Sequence, residues 1–304
     1  MPNLFERMGV PIDLGGRRFL HPGPLRWLRA IGWMFGLFIL VALAGYGPLA
    51  AMEDRVAKGG PGELLVNAAG ALIAILVYSL MVWLAEGRRP GELAPRPAIG
   101  GILAGLAIGV VVFATVMVVL IGTGLYQFTW LGPAPAWTGS ALSVQSGVIE
   151  EVMARGIILR LTWRAFGPWV AFAFSAALFG AAHFGNPNAS TWAAVCIAVE
   201  AGILLGAFYA LTGRLWVSIG LHAGWNFTQG YIFGAAVSGT DFGGAIARST
   251  AKAGFPLWLS GGEFGPEASA PALVICTSVG LLTLWMAWKA GRFAKPIPVP
   301  ATPA

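Results

Sequence analysis

Seven polar side chains stand inside long apolar runs of this chain: Glu150, Glu151, Arg155, His183, Glu200, His222 and Asn226. A carboxylate partnered by an imidazole can take a proton from water. An imidazole and a carboxamide can hold the oxyanion that forms when that water attacks an amide carbonyl. A base, a second imidazole and oxyanion donors together make an amide hydrolase that needs no Ser or Cys nucleophile. Ser146 and Ser218 are close in sequence, but a Ser–His enzyme would leave the glutamates without a role. The remaining histidine, His21, lies in the N-terminal segment and reads as a surface residue.

The spacing refines this chemistry. On a helix, Glu151 and Arg155 stand four apart and can pair, while Glu150 points about 100° away. If the glutamates only neutralised Arg155, one would suffice; two leave a carboxylate in excess. His183 closes the run Phe179-Gly180-Ala181-Ala182-His183, where it could equally be a packed or capping histidine. His222 and Asn226 share one helix face, and both carry hydrogen-bond donors; the plainer reading is a polar contact between helices. Glu200, with Gly202 and Gly206 on the same run, reads as a buried acid on a close-packed helix, near Arg155 or at the edge of the site. A zinc alternative would recruit Glu150, His183 and His222, although the chain has no His-Glu-x-x-His pattern.

The elements that must position these residues are transmembrane helices. The 304 residues are 57% hydrophobic and 11% charged, against about 25% charged in soluble domains. Mean hydropathy is +0.74. This excludes disorder, a fibre and a soluble enzyme with a polar shell. The net charge of +6 is spread over short loops between apolar runs, so nucleic acid is not the expected partner. Cys196 and Cys276 both lie in apolar runs and suit no disulfide framework or zinc pattern. Arg outnumbers Lys 15 to 4, which with abundant Ala, Gly and Trp points to a bacterial plasma membrane.

A span needs about 20 apolar residues, and eight runs approach this: 27–50, 64–85, 99–125, 140–161, 168–184, 191–211, 216–237 and 271–288. The fold class is therefore an all-α polytopic bundle. Its parts are an N-terminal cytoplasmic segment (1–26), three helices (27–139), a four-helix catalytic core (140–237), an outer loop with the last helix (238–294) and a disordered Pro-rich tail (295–304). Basic residues concentrate on one side, in the N-terminal segment, at Arg88, Arg89, Arg96, Arg160, Arg164 and Arg214, and in the tail; the other side has only Arg55, Lys58, Arg248 and Lys252. This asymmetry places both termini in the cytoplasm. Phe19, Leu20, Leu25, Trp27 and Leu28 among arginines suggest an interfacial helix. The loop 126–139 is uncharged and faces outward.

At 1.5 Å per residue, Glu150 lies roughly 15 Å from the cytoplasmic edge, His222 roughly 12 Å, Asn226 roughly 18 Å and His183 roughly 22 Å. Three helices thus present polar groups at compatible depth. The expectation is one cavity, with Glu150 within water-bridging distance of His183 and with His222 and Asn226 facing the same void.

Glu150-Glu151-x-x-x-Arg155, Phe179-x-x-x-His183 and His222-x-x-x-Asn226, in this order on separate spans, resemble the three motifs of the CAAX protease and bacteriocin-processing (CPBP) intramembrane proteases. The segment Ser260-Gly261-Gly262-Glu263-Phe264-Gly265-Pro266-Glu267 also resembles a loop that precedes the final span in bacterial members. The resemblance implies an intramembrane endopeptidase acting on membrane-associated or lipidated peptides. Glu150 would be the base, assisted by His183. His222 and Asn226 would form the oxyanion hole. Glu151 and Arg155 would orient the first motif, with Phe179 and Glu200 in support. No cofactor is required by this scheme, and zinc is the alternative, since family members have been described as metal-dependent. Eukaryotic relatives remove the last three residues of prenylated proteins; bacterial members are linked to bacteriocin self-immunity or to processing of small membrane peptides. A non-catalytic immunity or scaffold protein, and a small transporter using Glu200 and Glu151 as a proton relay, are the competing classes.

Overall fold

The computed structural model describes residues 4–52 and 55–293; the expected disordered tail at 295–304 lies outside the described residues. Apolar runs with few breakers form the helices, and Pro or Gly punctuate their ends. Helix α1 is Arg26–Met52. Helix α2, Pro61–Met81, opens on its proline and continues as a π-helical turn through Glu86. Helix α3 is Ala98–Gly122 and strand β1 is Tyr126–Trp130. Helix α4, Trp137–Gln145, runs on through π-helical Ser146–Glu150 and Val152–Leu159 into α5, Arg160–Phe166. Helix α6, Pro168–Ala182, ends in a 3-10 turn at His183–Gly185. Helix α7 is Thr191–Thr212, stopped by Gly213 in the left-handed region. Helix α8, Leu215–Phe227, continues as a π turn to Ile232. Strand β2 is Ala247–Ala251, α9 is Leu257–Ser260 and α10 is Ala270–Lys289.

Among the described residues, six helices are long and apolar enough to cross a membrane: α1, α2 with its π turn, α3, α6 with its 3-10 turn, α7 and α10. The chain is an integral membrane protein. Two of the eight expected spans are not among the six. The run expected at 140–161 is a longer, π-distorted helix from Trp137 to Phe166, and it carries Glu150, Glu151, Arg155, Arg160 and Arg164. The run expected at 216–237 is helical only to Ile232. Both are polar because they carry the motifs. The long uncharged loop expected at 126–139 is partly strand: β1 pairs antiparallel with β2, from Tyr126 opposite Ala251 to Trp130 opposite Ala247.

Helix α7 is the central post. Its apolar window is 72% buried, against 28–33% for the other five, so its neighbours wrap it and show their outer faces to lipid. Helices α3 and α8 pack through glycines on both sides. A β-carbon at Gly105 or Gly109 would overlap the carbonyl oxygens of Val217 or Leu221, and one at Gly220 would overlap that of Ile102. Such small-residue pairs four apart allow close backbone approach in membranes. They seat His222 and Asn226, which lie on α8 beside Gly220 and Gly224, in one fixed rotation.

At the end of the bundle opposite β1 and β2, a buried ion network ties α2, the 3-10 turn Gly91–Leu93 and α5 together. Arg160 Nη2 is 2.6 Å from Glu86 Oε1, and Arg88 lies 2.7 Å from Glu86 Oε2 and 2.8 Å from Glu92 Oε2. Tyr78 donates to Glu92, and Trp33 Nε1 donates to Glu86 at 2.9 Å. Charges this deeply buried are tolerated because each is paired. The N-terminal segment is an extended strap over this end, with 3-10 turns at Glu6–Met8 and Arg18–Leu20, rather than an interfacial helix. It is fastened by Val10 N–H to Thr212 O (3.0 Å), Arg164 to Gly15 O (2.6 Å) and Arg292 to Gly9 O (2.7 Å).

Candidate active site

The first motif sits where the helix widens. π-Helical segments flank Glu151 on both sides, and such segments recur at functional sites. A wider turn brings consecutive side chains closer to one direction, so both glutamates reach one imidazole. Glu151 Oε1 accepts from His222 Nδ1 at 3.0 Å, and Glu150 Oε2 lies 3.9 Å from His222 Nε2. Glu151 also takes Arg155 Nη1 at 2.8 Å. Arg155 donates a second hydrogen bond to Ala201 O on α7 at 2.8 Å, and its guanidinium lies 4.5 Å from the centre of the Phe179 ring. Glu151 therefore ties α5's π segment to α8, and Arg155 ties it to α6 and α7.

The second motif has a local reason for its spacing. His183 Nδ1 donates to the carbonyl oxygen of Phe179, four residues back, at 2.7 Å. A carbonyl only accepts, so Nδ1 carries the proton and Nε2 is left as an acceptor. The Phe179 ring packs against both imidazoles, 5.0 Å from His183 and 6.2 Å from His222 between centroids. The third motif is fixed in the same manner. His222 is held through Nδ1 by Glu151, and Asn226 Nδ2 donates to Ser146 Oγ at 2.8 Å. The Ser146 hydroxyl in turn donates to Leu142 O at 2.8 Å. Only one of the two Asn226 amide hydrogens is used in this bond.

Phe179, His183, His222 and Asn226 line one cavity, with Ile197, Ala201, Leu205 and Trp225 as its apolar walls and Ser238 and Glu267 as further polar groups. Residues 132–228 match the Type II CAAX prenyl endopeptidase Rce1-like family. This is the family of CAAX proteases that the three motifs resemble, and all three lie inside the matched segment. No curated protein and no solved structure matches the chain. The matched segment is similar to that of CAAX-type intramembrane proteases.

The structure does not join every residue as expected. No hydrogen bond or ion pair links Glu150 to His183 among the described residues; Glu150 approaches His222 instead. Glu151 is engaged with His222 as well as Arg155. Glu200 is fully buried, forms no ion pair with Arg155, and has both carboxyl oxygens without a hydrogen-bond partner. The three residues of the zinc alternative, Glu150, His183 and His222, are not gathered into one cluster. Among the described residues, no three His, Cys, Asp or Glu side chains are grouped to hold a metal ion, and His183 is not joined to either of the other two donors.

Ser146, Ser238 and Glu267 are site residues that the motifs do not contain. Ser146 lies four positions before Glu150, and that spacing is the only local sign of its place. Ser238 and Glu267 come from the loops after α8 and before α10, which the fold brings over the cavity.

Proposed function

We propose that this chain is an endopeptidase of the bilayer, cleaving peptide bonds of membrane-associated or lipidated peptides by an activated water. The observation that carries the reading is the cavity lined by His183, His222 and Asn226, with the Glu150 carboxylate 3.9 Å from His222 and the lining serine, Ser238, committed by its hydroxyl to Glu267.

In this scheme Glu150 takes a proton from the attacking water, and the water oxygen bonds to the scissile carbonyl carbon. The oxyanion is received by Asn226, through its second amide hydrogen, and by His222 Nε2 with the ring doubly protonated. The carboxylates of Glu150 and Glu151 flank that ring and balance its charge. The carbon–nitrogen bond then breaks, and the departing amine takes back the proton that water gave up, with His183 Nε2 as the carrier. Preorganised donors of this kind are the largest single term in many hydrolases. The positive loops lie with both termini on the cytoplasmic side.

The test is product analysis. Protein reconstituted in vesicles is incubated with a peptide whose prenylated cysteine is followed by three residues, and with its unprenylated twin. Mass spectrometry should find the lipidated peptide cut at one bond. Failure to cut any peptide, by protein that is folded and inserted, would overturn the enzyme reading in favour of a non-catalytic membrane partner.

A further inference from the structure

Glu267 is an acid that the scheme above does not use. It is 1% exposed and lines the same cavity as His183, His222 and Asn226. It reaches the cavity from the 3-10 turn Pro266–Ala268 that precedes α10. Its Oε1 takes both Ser238 donors, the backbone N–H and, at 2.8 Å, the hydroxyl. Its Oε2 has no hydrogen-bond partner, although it is fully enclosed. No cation pairs with it: the described ion pairs do not include Glu267.

Buried polar atoms are nearly always satisfied. A carboxyl with one oxygen saturated by donors and the other unpartnered suits the neutral acid, with the proton on the free oxygen. Burial pushes this carboxyl up to about 8, against the pull of the two Ser238 hydrogen bonds. The titratable groups around it are Glu200 and Cys196 on α7, Cys276 on α10 and Tyr126 on β1, with His183 and His222 across the cavity. None of them supplies a hydrogen bond to Oε2.

We propose that Glu267 is a substrate-binding residue of this site, donating a hydrogen bond from Oε2 to a carbonyl of a peptide held in the cavity. This rests on the peptidase reading and adds a contact outside the three motifs. The turn that carries Glu267 is tightly fitted. Gly265, at φ 131°, lies where a β-carbon would overlap the Ala236 carbonyl, which fixes the carboxyl's approach.

Two measurements test this. The first needs no turnover. In infrared difference spectra of vesicle-reconstituted protein, adding a prenylated peptide with a non-hydrolysable bond should shift a protonated-carboxyl band, and that band should be missing in Glu267→Gln. No shift, or a shift that persists in Glu267→Gln, overturns the proposal. The second is kinetic. Glu267→Leu should raise KM about tenfold, as for one lost hydrogen bond, with kcat nearly kept. Glu267→Gln, a neutral donor of the same shape, should restore most of the binding. Should Glu267→Leu not fold, the Gln variant decides through the alkaline limb. Wild-type binding should weaken as pH rises past about 8, because the ionised acid cannot donate, and the Gln variant should lose that limb. A limb unchanged in Glu267→Gln overturns the proposal. An inactive wild type that still gives the infrared shift would instead reject the peptidase reading alone.

Discussion

Glu151 carries two bonds that would ordinarily be divided between residues. Its Oε1 meets Arg155 at 2.8 Å and His222 Nδ1 at 3.0 Å. Glu151→Ala should therefore cost both stability and rate. A buried Arg155 left unpaired is destabilising by about 3–5 kcal/mol, and the His222 ring loses the group that orients it. Glu150→Ala should spare the fold, because Glu150 is part-exposed and its described ion pair is only the 3.9 Å approach to His222. Thermal unfolding in detergent checks this; equal losses in the two variants would contradict it. Asn226→Ala should lower kcat by about 10²–10³, as for one oxyanion donor. Ser146→Ala should lower kcat by a smaller factor with KM unchanged, because the amide keeps its place but loses its anchor, and Ser146→Thr should recover the rate. At this scale the sequence showed what is local. The pair Glu151–Arg155 and the bond from His183 to Phe179 follow from four-residue spacing. The bond from Glu151 to His222 joins residues 71 apart, so no spacing announces it. The approach of Glu150 to His222 depends on π-helical backbone that side-chain patterning does not encode.

The π-distorted α4–α5 run and the glycine-packed pair α3 and α8 are the elements that hold the site. Gly109→Leu should force α3 away from Leu221 and Trp225, since overpacking displaces backbone. The expected result is loss of cleavage larger than the loss of thermal stability, because Asn226 lies one residue beyond the contact. Gly100, which has open space around it, is the control site, and Gly100→Ala should change neither. The ion network predicts a pH effect. Burial raises the Glu92 carboxyl, but the Arg88 hydrogen bonds and charge more than offset that, leaving it below its ordinary 4.5. A carboxylate depressed in the folded state stabilises fully above its unfolded value, and the contribution is lost as pH falls through the folded one. The unfolding midpoint should drop as pH is lowered below about 4.5, and Glu92→Gln should show a smaller drop. Helix positions were largely legible, because long apolar runs bounded by Gly and Pro leave few alternatives. The network was not: Arg88 and Arg160 read as loop charges until α2 and α5 are brought together.

For the whole molecule, α7 is the most buried of the six apolar helices, and the polar centre is supplied by the Trp137–Phe166 run, the end of α6 and α8. The span count was the least legible feature, since the helices that bear the first and third motifs are too polar to register as spans. The place of Glu267 was legible only as part of a segment resembling a loop before the final span, because its contribution to the cavity depends on where the fold brings that loop. The proposed chemistry is a Glu150-activated water in a site that requires no metal. The decisive measurement is the cleavage rate of the prenylated peptide by vesicle-reconstituted wild type and Glu150→Gln, each before and after prolonged treatment with a strong chelator. Glu150→Gln should be inactive with an unchanged unfolding midpoint, and the chelated wild type should keep its rate. Substantial cleavage by Glu150→Gln, or wild-type inactivation by the chelator reversed by added zinc, would contradict this chemistry.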